Sequence, residues 1–129
     1  MAQRILAALD LPEGELSILL VDDIQIRELN RQYLGRDNAT NVLSFSMQEG
    51  AFSSLHPHLL GDLVISVETA LRQSNRFGLN PMEMVTLLIV HGVLHLIGYE
   101  HQGKKKEARE MALKQKELFQ QIMETGKLK

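Results

Sequence analysis

Three stretches of the chain have the apolar pattern of β-strands. Residues 15–21 are a run of leucine and β-branched residues, which predicts a strand buried on both faces. Residues 40–46 and 59–67 predict two further strands, and in the first of these alternate side chains lie on opposite faces. The polar residues 47–57 between them predict an exposed, hairpin-like loop.

The remaining segments have the period and the terminal residues of helices, which are predicted at residues 4–9, 23–35, 68–77, 81–96 and 104–125. The fourth begins with the capping sequence Asn80-Pro-Met-Glu83 and is apolar almost all round, so it is expected in the middle of the protein. The last is amphipathic, with a predicted buried stripe of Ala108, Met111, Ala112, Leu118, Phe119, Ile122 and Met123. The predicted fold class is α/β (α+β): a small mixed β-sheet packed with helices around a central, metal-binding helix.

Composition and charge restrict the possible functions. The chain has 129 residues, which suits one domain, and we expect a single domain over residues 1–129. The net charge of −2 excludes a generally basic nucleic-acid binder and leaves only a local basic patch for such contacts. The absence of cysteine excludes disulfides and thiolate zinc sites. Because the sequence also has no signal peptide and no apolar run of membrane length, we expect a cytoplasmic protein.

Three of the five histidines lie in one eleven-residue window, His91-Gly-Val-Leu-His95-Leu-Ile-Gly98-Tyr-Glu-His101. On a helix, His91 and His95 are about 6 Å apart along the axis and about 40° apart around it. Gly98 can end the helix and turn the chain back, so that His101 reaches the same point. A lone histidine on an apolar helix face is usually a hydrogen-bonded core residue, but a shared direction of all three favours a metal. Three imidazoles with an open fourth position indicate a catalytic rather than a structural site.

The chemistry of such a site depends on the nearby carboxylates. The histidine spacing matches that of the metzincin proteases, in which a glutamate general base directly follows the first histidine. Gly92 occupies that position here, so a peptidase would need another carboxylate. Glu100 can orient a metal-bound water or act as the base, can hydrogen-bond a ligand imidazole, or can be a solvated turn residue. His91 and Glu100 are the predicted catalytic residues.

The histidine window closely resembles the YbeY family of bacterial metal-dependent endoribonucleases. Further segments resemble the same family in the same order, and the resemblance extends from about residue 15 to the final helix. These segments are Leu20-Val-Asp-Asp23, Arg27-Glu-Leu-Asn-Arg31, Gly35-Arg-Asp37, Thr40-Asn-Val-Leu-Ser-Phe45 and Leu60-Gly-Asp-Leu-Val-Ile-Ser66.

The resemblance implies helices packed on a small mixed sheet, with one zinc ion held by His91, His95 and His101. Other divalent transition metals also suit three imidazoles. It further implies cleavage of single-stranded RNA during maturation of the 3′ end of small-subunit (16S) ribosomal RNA, and a role in ribosome quality control. The implied partners are ribosomal RNA and proteins of the small ribosomal subunit, and neither DNA nor a membrane is expected.

The chain departs from the family pattern at a basic position. The family usually has an arginine directly after the tyrosine that matches Tyr33, and this chain has Leu34, which cannot bind phosphate. Arg36 or Arg31 is a hypothetical substitute, and Arg31, Arg36 and Lys104 are the predicted RNA-binding residues, although each is by default a solvated side chain. Glu100 replaces the family's usual aspartate. Two alternatives stay open: an RNA- or ribosome-binding module with a structural metal, which Leu34 favours, and a zincin-type peptidase.

Overall fold

The computed structural model describes residues 2–9, 11, 13–46, 59–98 and 105–127. The elements are, in chain order, helix α1 (Ala2–Ala8), strand β1 (Glu15–Val21), helix α2 (Asp23–Leu34), strand β2 (Val42–Ser46), strand β3 (Leu59–Ser66) and helices α3 (Val67–Phe77), α4 (Pro81–Leu96) and α5 (Lys105–Lys127). This order confirms the predicted α+β class and each predicted helix and strand within a few residues. The loop predicted at residues 47–57 lies outside the described residues.

The strands form one mixed sheet in the order β1-β3-β2, with β1 parallel and β2 antiparallel to β3. The almost entirely apolar β3 lies in the centre, where both of its faces are covered except at the exposed Asp62. The prediction that β1 is buried on both faces is wrong, since Leu19 and Leu20 are 54% and 55% exposed. A continuous apolar run is typical of a strand that is buried on both faces. However, β1 lies at an edge of the sheet, where the helices cover it incompletely.

Helix α4 forms the centre of the main hydrophobic core, as its all-round apolar sequence predicted. Its nine buried residues face β2, β3, α3 and α5. A smaller cluster lies between the sheet and α2 and consists of Val21, Ile26, Leu43 and Val64. Within the described part of the chain, no single helix has the length and hydropathy of a membrane span; α3 and α4 reach them only as a pair, which is bent by 107°.

Helix α5 closes the core on the side of α4 that carries the histidines. Met111, Leu118 and Ile122 of the predicted stripe are buried, but Ala112 is exposed. The prediction for Ala112 is wrong because each residue of a helix turns by about 100°, so the neighbour of the inward-facing Met111 points away from the core.

The local sequence fixes the start of α4 and its distance from the sheet. Asn80 accepts a hydrogen bond from the Glu83 backbone N–H at 2.8 Å, and Glu83 accepts one from the Asn80 N–H at 2.9 Å, which is the predicted capping box. Further along, a Cβ atom on Gly92 would lie 2.6 Å from a methyl group of Leu63 in β3. The helix therefore lies so close to the sheet that any larger side chain at this position requires the Leu63 side chain to move.

A partly buried polar cluster joins α2 to the end of β3 and to α3. The Asp23 carboxylate accepts hydrogen bonds from the hydroxyl groups of Ser66 and Thr69, and from Arg72 at 2.7 Å. These contacts lower the pKa of Asp23 from 3.8 to about 2, and the hydrogen bond from Ser66 has the largest effect. The cluster anchors the start of α2, the helix that forms one wall of the site described next.

Candidate metal centre

The rings of His91 and His95 meet at the last turns of α4. Their Nε2 atoms lie 3.1 Å apart, and the ring planes are inclined by 74°. Two imidazole nitrogens that bind one tetrahedral zinc ion at about 2.0–2.1 Å lie about 3.3 Å apart. The two nitrogens therefore have nearly the separation that a shared ion requires, and this donor set fits a zinc-type ion.

The second nitrogen of His91 is held by a residue of α5. His91 Nδ1 and the amide oxygen of Gln115 are 2.6 Å apart. Since an amide oxygen only accepts hydrogen bonds, Nδ1 is the donor and Nε2 keeps its lone pair on the side of His95. Gln115 is not among the site residues predicted from the sequence. A signal was available, because Gln115 follows Met111 by four residues and precedes Leu118 by three, which places a polar residue within the buried stripe.

The rest of the predicted histidine window lies beyond α4. Gly98 has a φ of 108°, in the region that favours glycine, as the predicted turn requires. His101, Glu100 and Lys104 lie outside the described residues, so the roles predicted for them stay predictions. In the ranges that the structure describes, no three His, Cys, Asp or Glu side chains form a group able to hold a metal ion.

A cavity of about 490 Å³ opens beside the histidine pair, between α2, β2 and α4. Its wall includes the polar side chains of Asn30, Arg36, Asn38, Thr40, Asn41 and Ser44, together with His91 and His95. Leu34, which stands at the position of the family arginine, also lines the cavity and is 53% exposed. The histidines thus face a polar space that is large enough for a nucleotide-sized group.

The two described arginines predicted to bind RNA are placed differently. Arg36 lines the cavity and has no ion-pair partner among the described residues. Arg31 does not line the cavity, and its guanidinium forms an exposed ion pair with Glu28. The hydrogen bond from Arg31 lowers the pKa of Glu28. Near the cavity, Arg36 is therefore the described cation whose charge is not already paired.

Asn30 holds the turn that carries Arg36 toward the cavity. It is only 3% exposed, and its side-chain amide donates to the backbone oxygen of Asn38 at 2.9 Å and to the Asn38 side chain at 3.2 Å. Gly35, at a φ of 70°, ends α2 and begins this turn. The turn leaves the helix here, and Arg36 lines the cavity whereas Arg31, on the helix, does not. The hypothesis from the sequence named either of them as a substitute for the family arginine.

Gly92 occupies the position of the metzincin general base. Because its Cβ would already lie 2.6 Å from a methyl group of Leu63, a glutamate there would require the buried Leu63 side chain to move. The backbone oxygen of Gly92 also accepts a hydrogen bond from the Ser44 hydroxyl at 3.4 Å. Close packing thus disfavours a glutamate, the peptidase base, at this position.

Comparison with known proteins points to one family. The model of the family described as endoribonuclease YbeY matches residues 1–123. The chain is similar to the endoribonuclease YbeY of Syntrophotalea carbinolica, with 50% identity over 95% of this chain and 83% of the relative. It is 44% identical to the endoribonuclease YbeY of Geobacter metallireducens, over 92% of this chain and 79% of the relative.

A solved structure with the same fold supports this relationship. The solution structure of TM1509 from Thermotoga maritima matches with a TM-score of 0.66 and 25% identity, over 98% of this chain and 81% of that one. Endoribonucleases are hydrolases that act on the phosphodiester bonds of RNA, and the YbeY family is metal-dependent in general. The chain belongs to the YbeY family of rRNA-processing endoribonucleases.

Proposed function

We propose that this protein cleaves single-stranded RNA at a metal site formed by His91, His95 and His101, with one zinc ion per chain. The observation that carries this proposal is the pair of Nε2 atoms, 3.1 Å apart, at the wall of a polar cavity. Neutral imidazoles suit zinc, and a site with three of them keeps a position open for substrate or water. RNA as the substrate agrees with the names of the relatives.

The side chains of the cavity have distinct tasks in this proposal. A bound divalent ion supplies a Lewis acid and makes a bound water more acidic. Arg36 binds the scissile phosphate or its neighbour, because its charge is unpaired in the described structure and its guanidinium can bond two phosphate oxygens. Glu100 receives the proton of the attacking water or ribose hydroxyl, and the ribose oxygen that leaves as its P–O bond breaks takes up a proton from solvent. Arg31 and Lys104 provide weaker contacts to more distant phosphates.

The biological substrate in this proposal is the 3′ end of small-subunit (16S) ribosomal RNA, and the protein also acts in ribosome quality control. Its partners are then the small ribosomal subunit and its proteins, it works in the cytoplasm, and it binds neither DNA nor membranes. The chain works as one domain. Cleavage of precursor ribosomal RNA on purified small subunits, compared with the same RNA alone, tests whether ribosomal partners are needed.

The central experiment compares the wild-type protein with the His91→Ala variant. Both are purified, their metal content is measured, and cleavage and affinity are measured on the same single-stranded RNA. A nuclease site predicts that His91→Ala loses bound zinc and cleavage but retains RNA affinity within a few-fold. A structural metal in an RNA-binding module predicts instead that the variant loses folding stability while the wild type binds RNA without cutting it. Digestion of casein by the wild type would support the peptidase alternative.

A further inference from the structure

We infer that Gln115 is a positioning residue of the metal site, which fixes the tautomer and the orientation of the His91 ring. This inference rests on the proposed metal site, because it concerns the ring that would bind the ion. Its basis is the 2.6 Å contact between the Gln115 amide oxygen and His91 Nδ1. Gln115 is not one of the predicted metal ligands, and it belongs to α5, a different helix from the histidine pair.

The tautomer follows from the hydrogen-bonding capacity of the two partners. A neutral imidazole has one N–H group and one bare nitrogen, and the bond to the amide oxygen puts the N–H on Nδ1. Nε2 of His91 then carries no proton, and it lies 3.1 Å from Nε2 of His95. Without a metal, two bare nitrogens at this distance would repel each other, so His95 donates its Nε2–H to His91. The orienting bond thus makes His91 the member of the pair that is ready to bind a cation.

The surroundings of Gln115 make this bond a directed one. Gln115 is half-buried on the inner side of α5, between the buried residues Met111 and Leu118. A hydrogen bond that is partly shielded from water competes less with solvent than an exposed one, so it holds the ring more firmly. Metal-binding histidines generally donate their second N–H to such a partner, and loss of the partner weakens metal binding about 10–100-fold.

The test uses three variants of the full chain and measures zinc binding by competition with a chromophoric chelator. Gln115→Met removes the acceptor but keeps an unbranched side chain of similar length, and Gln115→Glu keeps an oxygen acceptor. Gln120→Met is the matched control, because Gln120 lies on the exposed side of the same helix. We expect zinc affinity to fall about 10–100-fold in Gln115→Met. It should stay within a few-fold of the wild type in Gln115→Glu and in the control.

A second measurement does not depend on a variant that folds. Long-range ¹H–¹⁵N correlation spectra of the metal-free wild type at pH 8 report which nitrogen of each histidine carries the proton. We expect Nδ1–H for His91 and Nε2–H for His95, and a mixture of both tautomers for His91 in Gln115→Met. An Nε2–H tautomer of His91 in the wild type would overturn the inference, as would equal zinc affinity in Gln115→Met and the wild type.

The outcome also separates this inference from the proposed function. If zinc binds to the wild type and is lost in His91→Ala, but Gln115→Met binds it normally, the metal site stands and only the role of Gln115 fails. If His91→Ala binds zinc as the wild type does, the proposed site itself is wrong.

Discussion

Removal of the Asp23 charge should destabilise the protein by about 2 kcal/mol at neutral pH. The pKa of Asp23 is lowered from 3.8 to about 2 by hydrogen bonds from Ser66 and Thr69 and by Arg72. At about 1.4 kcal/mol per pKa unit, this difference corresponds to about 2.5 kcal/mol of stability from the ionised carboxylate. Solvent screens the partly exposed contact with Arg72, which lowers the expected contribution to about 2 kcal/mol. Asp23→Asn keeps the shape of the side chain but places an uncharged amide against these donors.

The pH dependence of this contribution has a definite sign. Because the pKa is lower in the folded protein than in the unfolded chain, the stabilisation is fully present above pH 3.8. It is lost as the pH falls through about 2, where the folded protein also takes up the proton. The difference in unfolding free energy between wild type and Asp23→Asn should therefore be constant from pH 7 to about pH 5 and shrink below pH 4.

Urea unfolding followed by circular dichroism measures this difference at each pH. Asp62→Asn, which changes an exposed aspartate in β3, is the matched control and should alter stability by less than about 0.5 kcal/mol. High salt should reduce the Asp23→Asn effect, because it screens the charge of Arg72, which is 63% exposed. The reduction should be only partial, because the larger causes of the lowered pKa are the hydrogen bonds from the Ser66 and Thr69 hydroxyl groups. A loss below about 0.5 kcal/mol at pH 7, or a difference that does not shrink in acid, would refute the reasoning.

Three further predictions concern α4 and the cavity. Gly92→Ala should destabilise the protein, because the overlap with Leu63 costs about 1–3 kcal/mol of unfolding free energy. This exceeds the roughly 1 kcal/mol that alanine gains over glycine in a helix. A variant that is more stable than the wild type in urea unfolding would contradict this prediction. Asn80→Ala removes the cap of α4 and should cost about 1 kcal/mol in the same assay; an unchanged midpoint would show that the cap is dispensable. Arg36→Ala should weaken RNA binding about tenfold at low salt, because Arg36 lines the cavity. Arg31→Ala breaks only an exposed ion pair and should change RNA binding much less. Equal effects of the two variants would argue against the unequal roles of the two arginines.

The parts of this molecule that depend on local geometry could be predicted from the sequence. The shared direction of His91 and His95 follows from four residues of helix, and the capping box at Asn80 follows from the side chains present there. The contact between Gln115 and His91 could not be predicted, because it depends on how α5 packs against α4 across 24 residues of sequence. The apolar pattern of a helix predicts which side faces the core, but it does not predict which residue of a neighbouring helix each side chain contacts.

The wrong prediction for β1 and the unequal surroundings of Arg31 and Arg36 have the same physical origin. The sequence of β1 shows that its residues are apolar, but only the order of the sheet shows that β1 lies at an edge. Likewise, Arg31 and Arg36 are equally basic in the sequence, and their different surroundings arise from the turn after Gly35 and from the neighbouring Glu28. The number of basic residues could be read directly, whereas their availability depended on tertiary neighbours.

The position of the histidine pair at the end of α4 has an electrostatic consequence. The aligned peptide dipoles of a helix place about half a negative charge at its C-terminus, and His95 belongs to the last turn of α4. This partial charge attracts a cation and repels a phosphate, each by about 0.3–1 kcal/mol. A phosphate of the polynucleotide backbone should therefore bind at most a few-fold more weakly beside this end of the helix before a divalent ion has offset the partial charge.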